Sequence, residues 1–189
     1  MADTTIKTLP YSMKTPKEFT NNIKNGIVTM NMLGACIYSV NKRAKNYRDN
    51  IKELNYYSKK NKYWYDKYDN KGKYEEKMNE YYSIKDELLN FISPIEIHKV
   101  IYCKDWYDYE YQEWTTRSTE RYFTFFKCDN YTFHHPIEEN EISNYNLETK
   151  EIDLETYGES TEELLSVQCV TKILNGLKNK SLILINTNN

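Results

Sequence analysis

Apolar residues recur at steps of three and four along the first third of the chain: Met30, Leu33, Ile37, Val40, Ala44, Tyr47, Ile51 and Leu54. This heptad a/d stripe predicts a helix about 37 Å long, at about 1.5 Å per residue, that needs a partner surface. Upstream, Thr15-Pro16-Lys17-Glu18 offers Thr as N-cap, Pro at N1 and Glu at N3, so the helical segment is expected to open there. Residues 1–14 read as a loose arm. Gly26 and Gly34 would each cost about 1 kcal/mol relative to Ala inside such a helix, which makes sense where another backbone packs closely. Asp69-Asn70-Lys71-Gly72 is the turn candidate. A second helix over residues 73–92 places Tyr74, Met78, Tyr81, Leu88 and Ile92 on one face, and Ser93-Pro94 ends it. Residues 15–93 therefore read as a long, coiled-coil-like helical hairpin. A homodimer seam through residues 30–54 is the other way to cover the stripe.

After Pro94 the period changes to two. Ile95, Ile97, Lys99 and Ile101 alternate with Glu96, His98, Val100 and Tyr102, and Tyr107, Tyr109 and Tyr111 alternate with Asp108, Glu110 and Gln112. Thr115-Thr116-Arg117-Ser118 reads as a polar turn, Arg121–Lys127 as an aromatic strand, and Cys128-Asp129-Asn130 as a turn into Tyr131–His134. Residues 151–155 suggest an edge strand. Ser160 and Glu163 have capping-box spacing ahead of a helix with Leu164, Val167, Val170, Leu174 and Leu177 inward, ending near Gly176. Residues 181–185 suit a last short strand. The expected fold is α+β: the N-terminal helical hairpin, then an antiparallel β-meander and a C-terminal helix across residues 94–189.

Composition narrows the function classes. The 189 residues include 19 Tyr but only 5 Gly and 4 Pro, which argues against a disordered or fibrous chain. The net charge of −2 hides a split: residues 1–74 sum to +9 and residues 75–189 to −11. Cys36, Cys103, Cys128 and Cys169 form no close pair, so reduced thiols in a cytoplasmic protein are expected. The N-terminal residues lack the apolar run of a signal peptide, and the most apolar window, residues 27–40, is too short to span a membrane.

Strand and helix packing accounts for most of the residues that invite a chemical reading. His98, Cys103, Cys128, His134 and His135 could approach one another, but no ligand-pair spacing supports zinc or a Cys/His nucleophile. Asp105, Asp108, Glu110 and Glu113 invite a magnesium reading, yet Asp108 and Glu110 on a strand face opposite tyrosines describe a wetted sheet. No phosphate-binding loop, dinucleotide fingerprint or hydrolase elbow occurs. No enzyme activity, metal or cofactor is expected. Residues 56–73 interleave aromatics with lysines, so Lys59, Lys60, Lys62, Tyr63, Trp64, Tyr65 and Tyr68 are candidate contacts for single-stranded nucleic acid. The aromatic strand adds Trp106, Tyr107, Tyr109 and Tyr111 as candidate partner contacts, because Tyr and Trp are interface anchors. Residues 138–163 hold ten acidic residues and one Lys, which would suit phosphate mimicry or a solvated surface.

Two stretches, Tyr131-Thr132-Phe133-His134-His135-Pro136-Ile137 and Leu164-Leu165-Ser166-Val167-Gln168, resemble small uncharacterised proteins of Firmicutes bacteriophages and mobile elements. The resemblance covers the C-terminal third and carries no site residue. It implies a phage-type accessory protein acting in the host cytoplasm, for which binding a host protein or nucleoprotein complex, including inhibition of a CRISPR-like or other defence nuclease, is a common role. The expected function is therefore non-enzymatic binding of a host macromolecule. The alternatives are single-stranded nucleic-acid binding through Tyr56–Lys73 and a scaffolding oligomer held by the heptad seam.

Overall fold

A computed structural model describes residues 15–57, 71–152 and 163–185. The fold is α+β, and the chain divides into two compact units: Met1–Phe91 with Glu162–Asn189, and Ile92–Thr161. The expected grouping of residues 94–189 gives way here, because the C-terminal helix belongs with the N-terminal helices. Among the described residues no helix is long and apolar enough to cross a membrane.

In the first unit, helix α1 (Lys17–Lys24) opens behind Pro16, with no side chain capping it, so Thr15 is not the expected N-cap. The apolar stripe is not one helix from this point. Gly26 adopts φ +73°, which ends α1, and strand β1 (Ile27–Thr29) intervenes. Helix α2 (Met30–Tyr57) then starts where the regular stripe starts, and Thr29 Oγ1 caps it by accepting from Met32 N at 3.2 Å. Leu33, Ile37, Val40, Ala44, Ile51 and Leu54 of the stripe are buried, as are Met32, Cys36, Ser39 and Arg43 beside it. Each fully covered Leu or Ile contributes about 1.5–3 kcal/mol. Six of the eight a and d positions are thus covered within the chain, with Met30 and Tyr47 half-buried.

Helix α3 (Lys71–Leu89) packs on α2 through Tyr47, whose ring lies 5.6 Å from Tyr74 and 5.8 Å from Tyr81. Lys71 and Gly72, expected in a turn, are already helical, and the helix stops at Leu89, short of Ile92. Helix α4 (Val167–Lys178) is capped by Ser166 Oγ, which accepts from Cys169 N at 3.1 Å. Glu163, Leu164 and Leu165 precede it, so the helix starts later than the capping-box spacing suggests; Ser160 lies outside the described residues. Val170, Ile173, Leu174 and Leu177 are buried, and Lys178 Nζ meets Glu87 Oε2 at 2.7 Å to tie α4 to α3. A Cβ on Gly176 would fall 2.3 Å from Leu182 Cδ1, so any larger residue there would force the Leu182 side chain to shift. That segment, strand β6 (Ile183–Ile185), pairs in parallel with β1.

The second unit is a four-stranded sheet. Strands β2 (Glu96–Asp108), β3 (Glu113–Cys128) and β4 (Tyr131–Ile137) pair antiparallel in sequence order, and β5 (Thr149–Glu151) adds in parallel to the other edge of β2. Ile97, His98, Val100, Thr124, Phe126, Cys128, Tyr131 and Phe133 are its buried residues near the base. Two expectations change. The strand placed at 151–155 occupies 149–151, and residues 153–155 lie outside the described set. Thr115–Ser118 is not a turn: it pairs, residue for residue, with 103–106. The reversal lies at Tyr109–Gln112 instead. There Asp108 Oδ1 accepts from Glu110 N at 2.9 Å and Tyr111 N at 3.3 Å, and Gln112 takes φ 54°.

Candidate functional site

The β2–β3 pair is much longer than its neighbours. β5 covers only Ile97–Lys99 of β2, and β4 covers only Tyr122–Cys128 of β3. From Val100↔Arg121 to Asp108↔Glu113 the two strands run as a ribbon with no other strand beside them among the described residues. At about 3.4 Å per residue the ribbon extends about 27 Å. An isolated two-stranded ribbon is marginal in water. This one is held by cross-strand contacts: Thr116 Oγ1 donates to Asp105 Oδ1 at 2.8 Å, Thr115 Oγ1 to the Trp106 carbonyl at 3.3 Å, and Tyr107 packs edge-on against Trp114 at 5.3 Å.

The ribbon carries four of the expected partner contacts. Trp106 is 48% exposed, Tyr109 84% and Tyr111 71%, while Tyr107 is half-buried against Tyr109 and Trp114. Trp114, 72% exposed, joins them and was missed by the sequence reading. Its signal is the register, which places it opposite Tyr107. Alternation separates the two faces. Val100, Tyr102, Lys104 and Trp106, with Arg121, Thr119, Arg117 and Thr115 opposite, form one face; Ile101, Cys103, Asp105 and Tyr107, with Glu120, Ser118, Thr116 and Trp114, form the other. On the first face the Arg117 guanidinium sits 5.4 Å from the Trp106 ring centroid, and that of Arg121 5.4 Å from Tyr102.

The acidic residues near the tip are brought together only loosely. Asp108 caps the turn and Glu110 lies within it, so the expected shared strand face does not exist. Lys59, Lys60, Lys62, Tyr63, Trp64, Tyr65 and Tyr68 lie outside the described residues, as do residues 153–162 of the acidic tract. The described part of that tract contains strand β5 and a 3₁₀ turn, Glu139–Asn144, at whose start Glu138 and Glu141 make a reciprocal capping box.

At the ribbon's base a polar cluster is centred on the buried His98. His98 Nε2 lies 2.9 Å from Glu96 Oε1, and His134 Nε2 lies 3.2 Å from His98 Nδ1. With both rings neutral the chain closes: His134 donates to His98, which donates to Glu96. Phe125 stacks on His98 at 4.6 Å, and Lys150 also meets the Glu96 carboxylate. The hydrogen bond from His98, then that from Lys150, holds the Glu96 carboxyl below its ordinary value. Depression of a folded-state carboxyl gives stability that is present above about pH 4.3, the unfolded value, and lost as pH falls through the folded value. Glu96→Gln is therefore expected to lower the urea midpoint at pH 7 and to match the wild type in strong acid. A midpoint difference that persists unchanged in acid would refute the ion-pair account.

His98 and His134 thus meet, but Cys103 is exposed on the ribbon and Cys128 is buried in the sheet. Burial pushes the Cys128 thiol up to about 12, far from a nucleophile's range. Among the described residues no three His, Cys, Asp or Glu side chains are placed to hold a metal. A scan against protein-family models, a search of curated proteins and a search of solved structures each gave no match.

Proposed function

We propose that the chain is a non-enzymatic binding protein that occupies a surface of a host macromolecule, with the β2–β3 ribbon as its contact arm. The observation that carries this reading is the ribbon itself: an extended element with exposed Trp106, Tyr109, Tyr111 and Trp114 around it and little core of its own. Large exposed aromatics are rare away from interfaces, and Trp, Tyr and Arg supply most binding energy where interfaces form. A role as a phage-type accessory protein, directed at a host nucleoprotein complex such as a defence nuclease, is the functional setting that the sequence resemblance favours.

The test is affinity capture from a Firmicutes host lysate, with wild type beside a variant carrying Trp106→Ser, Tyr109→Ser, Tyr111→Ser and Trp114→Ser. Loss of the captured macromolecule, with an unchanged circular dichroism spectrum, is expected. Equal capture by both proteins would remove the ribbon from the binding surface. Turnover of nucleotides or cleavage of nucleic acid by the purified chain would overturn the non-enzymatic reading.

A further inference from the structure

The ribbon's two faces differ in charge. The face bearing Tyr102, Lys104 and Trp106 also bears Arg117 and Arg121; between the 100/121 and 106/115 pairs it presents no carboxylate, and its acids, Asp108 and Glu113, stand at the turn end. The acids between those pairs lie on the other face. Glu120 is engaged there by Lys99 Nζ at 2.7 Å, and Asp105 by Thr116. Lys104 and Arg117 stand directly opposite one another, and among the described residues neither they nor Arg121 has an ion-pair partner. Like charges placed opposite on a ladder destabilise it, so folding alone gives no reason for this pair. An anion bound between them would.

The aromatic spacing specifies the anion further. Tyr102 and Trp106 are four residues apart on one strand, so their rings share a face about 13 Å apart. Lys104 and Arg117 lie between them, and each ring has a guanidinium over or beside it. Flat apolar platforms alternating with cations along an exposed strand match the alternation of bases and phosphates in a single strand, where every base has a face to stack. A duplex hides those faces. An acidic peptide would satisfy the cations and leave the platforms unused.

We infer that this face of the ribbon, formed by Tyr102, Lys104, Trp106, Arg117 and Arg121, binds single-stranded nucleic acid, with bases stacked on Trp106 and Tyr102 and phosphates held by the three cations. The inference rests on the reading of the ribbon as the contact arm, and it names what one face of that arm contacts. The opposite face, with Tyr107 and Trp114, is not part of it.

The test is fluorescence anisotropy of the full chain with labelled oligo(dT), oligo(rU) of the same length, and a blunt DNA duplex. At least one single strand is expected to bind well ahead of the duplex, with affinity falling between about 50 and 200 mM salt. Lys104→Ala with Arg117→Ala and Arg121→Ala should flatten the log–log salt slope by about 2. Trp106→Ala should weaken binding about 5- to 100-fold with an unchanged slope, and Trp106→Phe should restore most of it. Comparison of the two oligomers separates DNA from RNA as the source of the strand. Absence of binding to both single strands at low salt overturns the inference, as does a triple variant that binds like wild type. If neither strand binds yet the ribbon variants still lose a captured protein after nuclease treatment, the contact arm stands and its partner is a protein. If both the strands and the captured partner are indifferent to ribbon substitutions, the contact-arm reading fails as well.

Discussion

Arg43→Ala is expected to lower the unfolding free energy by about 2–4 kcal/mol, because its charged guanidinium is the donor that reaches the buried Leu165 carbonyl. Arg43 is 4% exposed in the middle of α2. Its guanidinium donates to the Ser39 carbonyl at 3.2 Å and to the Leu165 carbonyl at 2.6 Å. Leu165 N in turn donates to Ser39 Oγ at 2.9 Å. Ser39 and Arg43, one helical turn apart, thereby hold both backbone polar groups of Leu165, 126 and 122 positions away in sequence. Burial works against the guanidinium's charge and lowers its pKa, so part of the bond energy is spent on desolvation. Arg43→Met, which keeps an apolar stem without the charge, should therefore cost roughly half as much. For a chain of this size the alanine variant should melt about 5–15 °C lower. Ser39→Ala should cost about 1–2 kcal/mol, and the double variant less than the sum, because both side chains hold the backbone of one residue, Leu165. Urea unfolding of the four proteins measures this; a change below about 0.5 kcal/mol for Arg43→Ala would show that the clasp contributes nothing.

Excising the outer ribbon should have the opposite profile, with binding lost and the fold kept. Joining Tyr102 to Thr119 through Asn-Gly removes residues 103–118, all of them exposed or half-buried. The sheet base with Ile97, Val100, Thr124 and Phe126 stays intact. Stability should change by no more than about 1 kcal/mol, or about 2–4 °C in melting temperature. Binding of any partner through the ribbon should disappear. Calorimetry and affinity capture on the same preparation check both halves. A shortened chain that unfolds would show that the ribbon supports the sheet, and one that binds normally would relocate the site.

The difference between what the sequence foretold and what formed has local causes. The α2 stripe was legible because a helix buried along one side repeats its apolar residues every 3.6 positions. The stop at Gly26 was not, since a glycine at positive φ and a glycine tolerated inside a helix are spelled alike. Pairing of Ile27–Thr29 with Ile183–Ile185 joins distant segments and leaves no local pattern. The ribbon misled for a related reason. Alternation marks a strand only where one face meets a core, and Thr115–Ser118 lies in solvent on both sides, so its polar residues looked like a turn. The actual reversal contains neither Gly nor Pro and depends on the Asp108 carboxylate. Tyr109, Tyr111 and Trp106 were found through residue type alone, whereas Trp114 and the cationic face needed the register.

The Leu165 clasp and the β1–β6 pair also set an order of events during synthesis. Helix α2, with Leu33, Ile37 and Val40, leaves the ribosome long before Leu165 or Ile183 exists, so the surface these later residues cover is open in the meantime. The sheet of residues 96–151 is complete in the interval and can fold first. At about 5–20 residues per second the helical unit waits several seconds for its closing segment. Its last assembly step is thus timed by translation, and that interval is when a chaperone would meet the nascent chain.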